Sequence, residues 1–154
     1  GVGIVVSPLI ALMQDQVMSL REVGVRAAAI NSSMSATENA AIERDLRAGN
    51  LDLVYVAPER LLMPRTLDLL DQLYRDQQIA LFAIDEAHCV SQWGHDFRPD
   101  YLALSALKSS FPDAAIAAFT ATADERTRRE IADKLLRPGA PVFLRDLDSP
   151  NIDI

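Results

Sequence analysis

Short apolar runs alternate with helix-period segments along this chain, and that alternation permits few architectures. A strand, a helix and a further strand make the βαβ unit, whose strands lie parallel and are covered on both faces. Residues 1–6, 25–30, 51–56, 79–84, 114–119 and 141–145 read as strands, the first of them buried. Ser7-Pro8 offers an N-cap with proline at the first helical position, and Leu9, Leu12, Met13, Gln16, Leu20 and Val23 follow at helical spacing until Gly24. Ser35-Ala36-Thr37-Glu38 is a capping box for a helix to about Ala48, with Gly49 as its stop. Ala57-Pro58-Glu59-Arg60 is a turn leading to a helix over 64–75, and 99–107 is helical. Thr122 with Glu125 forms a second capping box for a helix to about Leu136. The expected fold class is α/β with a mostly parallel sheet.

At 154 residues the chain is about one domain long, and 49% apolar with 24% charged residues is an ordinary globular composition. No apolar run approaches the roughly 20 residues of a membrane span, and no signal-peptide pattern opens the chain, so a cytoplasmic location is expected. One cysteine, Cys89, excludes an internal disulfide and is too few for a cysteine-based zinc site. Fifteen Lys plus Arg against 22 Asp plus Glu give a net charge of -7, which counts against a broad phosphate-binding face. Backbone N–H groups, helix N-termini and stacked aromatics can still hold a nucleic-acid strand.

The run Leu81-Phe82-Ala83-Ile84 ends abruptly in Asp85-Glu86-Ala87-His88. A buried parallel strand delivers such carboxylates to the sheet edge where α/β proteins bind ligands. Adjacent residues point different ways, so the two carboxylates suit divided labour: one holds Mg²⁺, the other receives a proton from an attacking water. Phosphoryl transfer also needs a phosphate cradle. No Gly-x-x-x-x-Gly-Lys-Ser/Thr occurs, and Lys108 and Lys134 stand in no Gly-rich loop. Alternatively, Asp85-Glu86 simply ends a strand at the surface, or Asp85, His88 and His95 serve a metal-dependent hydrolase. The last spacing is weak for a zinc site.

Residues 91–101 hold the single Trp and one of two His. Trp93, Phe97 and Tyr101, at spacing four, read either as core residues of a helix or as a sensing loop. Gly94 and Pro99 interrupt a helix, and Gln92, His95, Asp96 and Arg98 are interleaved with the rings. Aromatics with Arg and amide groups suit stacking on unpaired bases, so a non-catalytic module binding nucleic acid or protein is a further alternative.

Several blocks in order resemble the RecQ-type DNA helicases of superfamily two. Val5-Val6-Ser7-Pro8-Leu9-Ile10-Ala11-Leu12-Met13-Gln14-Asp15-Gln16 looks like motif Ia. Tyr55-Val56-Ala57-Pro58-Glu59-Arg60-Leu61 looks like motif Ib, with Ala57 where the family commonly has Thr. Ile84 through Cys89 resembles motif II, 91–101 the family's aromatic-rich loop, and Phe119-Thr120-Ala121-Thr122-Ala123 motif III. The resemblance implies a three-layer RecA-like domain. It implies ATP and Mg²⁺ as cofactors, Asp85 on the Mg²⁺ of MgATP, Glu86 activating water, and His88 linking the nucleotide to the loop and motif III. Thr120 and Thr122 would couple hydrolysis to strand separation. Trp93, Phe97 and Arg98, with Gln92 and His95, would sense single-stranded DNA, and Ser7, Pro58 and Arg60 would lie against the DNA backbone.

The implied parent is an ATP-dependent 3′ to 5′ helicase that translocates on single-stranded DNA and unwinds partly duplex DNA in repair or recombination, on the bacterial nucleoid. The family's phosphate loop precedes motif Ia, and its second RecA-like domain, with an arginine finger, follows the first. Residues 1–154 are therefore expected to be a partial first domain with no second domain, inactive alone. Leu147-Asp148-Ser149-Pro150-Asn151 departs at Leu147 and Ser149 from the family's Phe-Asp-Arg-Pro-Asn. By analogy, lack of the phosphate-loop strand is expected to leave a gap between the strands at 114–119 and 141–145.

Overall fold

A computed structural model describes residues 1–31, 34–121 and 124–144. Its strands form one six-stranded sheet in the order β2-β3-β1-β4-β5-β6. They are β1 (Val2–Val6), β2 (Ala27–Ile30), β3 (Leu53–Val56), β4 (Ile79–Ile84), β5 (Ala115–Thr120) and β6 (Val142–Leu144). Parallel registers pair Gly3 with Leu53, Ala27 with Leu53 and Ala118 with Val142. The helices are α1 (Ile10–Glu22), α2 (Ala36–Arg47), α3 (Pro58–Leu61), α4 (Pro64–Arg75), α5 (Pro99–Ala103), α6 (Leu107–Ser110) and α7 (Glu125–Leu135). The chain divides into two compact units, residues 1–82 and 83–154, the division falling within β4.

In the first unit, β2 is three alanines and an isoleucine, all buried. Those small side chains let α1 approach closely, and Met13 and Val17, one turn apart, pack against Ala27, Ala29 and Ala57. Burying each such larger side chain stabilises by roughly 1.5–3 kcal/mol. The capping box is complete: Glu38 N donates to Ser35 Oγ at 3.1 Å and Ser35 N donates to Glu38 Oε1 at 3.0 Å. Gly24 and Gly49 follow α1 and α2 with φ of +92° and +76°, the left-handed conformation that ends a helix without a Cβ penalty.

In the second unit, Ile131 and Leu135 of α7 are buried, and Phe119 stacks on Phe143 with ring centroids 5.3 Å apart. Arg137 donates to the carbonyls of Phe111, Pro112 and Ala114, fastening the end of α7 to the turn that enters β5.

Several expectations are corrected. The first helix starts at Ile10, not at Pro8: Ser7 Oγ accepts a hydrogen bond from Leu9 N at 3.2 Å, and Leu9, at φ -91° and ψ 67°, is itself outside the helical region and holds the N-cap position. The stretch at 99–107 breaks into α5, a 3-10 turn and α6. Asp124 caps α7, accepting from Arg126 N at 2.8 Å, in place of the expected Thr122, which lies outside the described residues with Leu147-Asn151. No gap separates the last two strands: β6 pairs directly with β5, placing Phe143 beside Phe119 and Leu144 beside Thr120. Unpaired strand backbone is costly, and direct pairing satisfies it. Replacing Ser35 by Ala is expected to lower stability by about 1 kcal/mol in urea denaturation, because one first-turn N–H of α2 loses its acceptor.

Candidate active site

The site is built where β4 leaves the sheet. Ile84 is fully buried, and the next carbonyl, that of Asp85, accepts from the Tyr101 hydroxyl at 2.7 Å. Asp85 Oδ1 accepts from Glu86 N at 3.0 Å, and Glu86 takes the left-handed conformation, φ 54° and ψ 40°. A non-glycine residue there is strained and persists only where its surroundings hold it. Here Cys89 N donates to the Glu86 carbonyl at 3.0 Å, closing the 3-10 turn Ala87–Val90.

His88 lies on that turn and meets three groups. Its Nδ1 is 2.9 Å from Thr120 Oγ1 at the end of β5. Its Nε2 is 3.4 Å from Glu86 Oε2 and 3.5 Å from Asp96 Oδ2. Carboxylates only accept, so Nε2 carries a proton toward them, and in the neutral ring Nδ1 accepts from the threonine hydroxyl. A cavity of about 390 Å³ opens beside this ring, lined by His88, Ser91, His95, Asp96, Asp124 and Thr127 among others.

The loop at 91–101 divides its aromatics. Trp93 is 72% exposed, Phe97 is half-buried and Tyr101 is fully buried, so only Tyr101 is a core ring. Gln92, His95 and Arg98 are exposed. The loop base is tied down by Arg98 N donating to the Cys89 carbonyl at 2.9 Å and by Ser91 Oγ donating to Glu130 Oε1 at 2.7 Å.

Burial, reinforced by the Glu86 charge, pushes the Cys89 thiol up to about 11, and burial holds the Tyr101 hydroxyl well above its ordinary range. Both therefore remain protonated at neutral pH.

In the first unit, Ser7 and Pro58 are buried. The Arg60 side chain is 17% exposed and turned toward Glu43, 3.7 Å away. Glu43, buried at 3% exposure, also meets Arg65 at 3.3 Å and Arg47 at 3.8 Å. Sequence reading missed Glu43; its helical i, i+4 spacing to Arg47 was the only local signal.

Among the described residues no group of three or more His, Cys, Asp and Glu is placed to hold a metal ion, so the hydrolase using Asp85, His88 and His95 lacks its site. A single carboxylate at a strand end does fit Mg²⁺ that arrives with a nucleotide, because such ions take one or two carboxylates and complete their shell with phosphates and water.

The DEAD/DEAH box helicase family model matches residues 1–131. The chain belongs to the DEAD/DEAH box helicase family. This helicase chain is 45% identical over 152 residues to the ATP-dependent DNA helicase RecQ of Pasteurella multocida, covering 99% of the chain and 23% of that protein. It is 43% identical to RecQ of Haemophilus influenzae, again over 99% of the chain and 24% of the relative. It thus spans about a quarter of the length of these relatives. A hypothetical ATP-dependent RNA helicase from Sulfolobus tokodaii shares the fold, with TM-score 0.62 and 22% identity over 93% of this chain and 40% of that one. The six-stranded sheet is that of RecA-like helicase domains.

Two measurements check this geometry. Replacing Tyr101 by Phe removes the hydroxyl from which the Asp85 carbonyl accepts and is expected to cost about 1 kcal/mol in denaturant titration. Native Cys89 is expected to resist iodoacetamide at pH 8 and to react once the chain is unfolded. The raised thiol value also fixes the sign of a pH effect: its contribution to stability is complete below the ordinary thiol value of about 8.5 and is lost as pH rises toward about 11.

Proposed function

We propose that in the full-length protein this chain supplies the hydrolytic half of an ATP-dependent 3′ to 5′ DNA helicase of RecQ type. The observation that carries the reading is the path from Glu86 through His88 to Thr120 and Asp96, which joins the carboxylate edge to the next strand and to the aromatic loop. Bound Mg²⁺ neutralises phosphate charge, and Asp85 would be its protein ligand. Glu86 accepts the proton of the attacking water at a carboxylate oxygen, within reach of the His88 Nε2–H that orients it. His88 shares its other nitrogen with Thr120, so a displacement of Glu86 is felt at the end of β5. The exposed Trp93, with Arg98, Gln92 and His95 on the same loop, meets single-stranded DNA. Arg60 meets that strand's backbone after exchanging Glu43 for a phosphate, whereas the side chains of Ser7 and Pro58 are buried and do not themselves reach it.

The relatives' names support this reading: both are ATP-dependent DNA helicases. A part in repair or recombination and a cytoplasmic, nucleoid-associated location go with it. The 154 residues contain no Gly-rich lysine loop to grip the β and γ phosphates, so the chain alone is expected to show negligible ATP hydrolysis. Exchanging Glu86 for Gln in the full-length protein is expected to lower turnover by about 10²–10⁴-fold while nucleotide binding persists. Unchanged turnover overturns the proposal, as does DNA-stimulated hydrolysis by the pure 154-residue chain.

A further inference from the structure

The face of α7 turned toward the aromatic loop holds that loop at two neighbouring points. Glu130 accepts from Ser91 Oγ at 2.7 Å, and Ser91 Oγ in turn accepts from Trp93 N at 3.3 Å. One turn earlier on the same helix, the Arg126 guanidinium lies over the Trp93 ring, 4.5 Å from its centroid. Arg126 and Glu130 stand at i and i+4, so a single helical face meets both the Ser91 hydroxyl and the indole. The indole is nevertheless 72% exposed, although the guanidinium lies over its ring.

A large aromatic side chain that is backed by a cation and still mostly exposed is prepared for stacking. Free, it would sample several rotamers and lose that freedom on binding; backed by a planar cation, it has already lost it. Arg126 also brings positive charge to a surface in a chain of net charge -7, where an incoming phosphodiester otherwise meets repulsion. We propose that Arg126 is a positioning residue for nucleic-acid binding: it backs Trp93 so that an unpaired base stacks on the outer indole face, in the order guanidinium, indole, base. Lysine replaces it only in part, because a compact ammonium keeps the charge and lacks the broad guanidinium surface. Because α7 follows β5, which ends in Thr120, a base on Trp93 would press on the helix that continues from the strand end touched by His88. The inference rests on the proposed DNA-sensing role of the loop.

Trp93 is the only tryptophan in these 154 residues, and its fluorescence reports the site without labels. The test compares the full-length protein with its R126A and R126K variants by acrylamide quenching, with the Trp93 signal taken as the difference from a W93F control, then by titration with an oligothymidylate at fixed low salt. R126A is expected to raise the quenching constant of free Trp93 and to weaken oligothymidylate binding about fivefold. R126K is expected to recover less than half of that loss. Equal quenching of the wild-type protein and R126A overturns the inference, as does equal or tighter oligonucleotide binding by R126A, or full recovery by R126K. A wild-type Trp93 signal that ignores the oligonucleotide overturns the loop's sensing role together with this inference. A wild-type response shared unchanged by R126A overturns this inference alone.

Discussion

Everything at the candidate site depends on how the Asp85 carbonyl is satisfied after β4 ends. A strand leaving a buried sheet must find new partners for its backbone, and this one finds the hydroxyl of a fully buried tyrosine, Tyr101, sixteen residues on. Burial keeps that hydroxyl protonated and therefore a donor. With the carbonyl fixed, the chain turns sharply through Glu86 in a left-handed conformation. That turn carries His88 to within hydrogen-bond distance of Thr120 and leaves the Glu86 carboxylate beside the same ring. That buried hydrogen bond ties the end of β4 to the start of α5, so the two ends of the aromatic loop are held together.

That loop solves a problem set by composition. An acidic chain cannot rely on a broad basic surface to hold a polyanion, so recognition has to come from local devices. On the proposed reading the exposed indole of the loop is such a device. It is backed by an arginine in the second unit. In the first unit, three arginines gather on the buried carboxylate of Glu43, with Arg65 more exposed than Arg47 and Arg60. Each concentrates positive charge where the net count hides it.

Much of the fold was legible because it follows from local rules. The strand at 79–84, the helix at 64–75 and the Ser35 capping box stand where periodicity, proline and capping chemistry place them. The errors arose where tertiary pairing decides. Direct pairing of β6 with β5 depends on strands twenty-odd residues apart finding each other, and analogy to a longer fold pointed to a gap instead. Asp124 rather than Thr122 caps α7 because either residue satisfies the same rule, and only the local path chooses between them. At the site, the acidic pair and the loop were visible as motifs. The left-handed Glu86, the split of Trp93 from Tyr101 and the grip of Arg126 on the indole were not, since each is a contact between segments rather than a property of one.

On the proposed function, the carboxylate edge and the aromatic loop act as one unit joined through His88. The decisive quantity is the ratio of ATP turnover with saturating single-stranded DNA to turnover without it, for the full-length protein and its His88→Ala variant. The ratio is expected to collapse toward one in the variant while folding and nucleotide affinity are retained. A variant stimulated by DNA as strongly as the wild type would contradict that coupling.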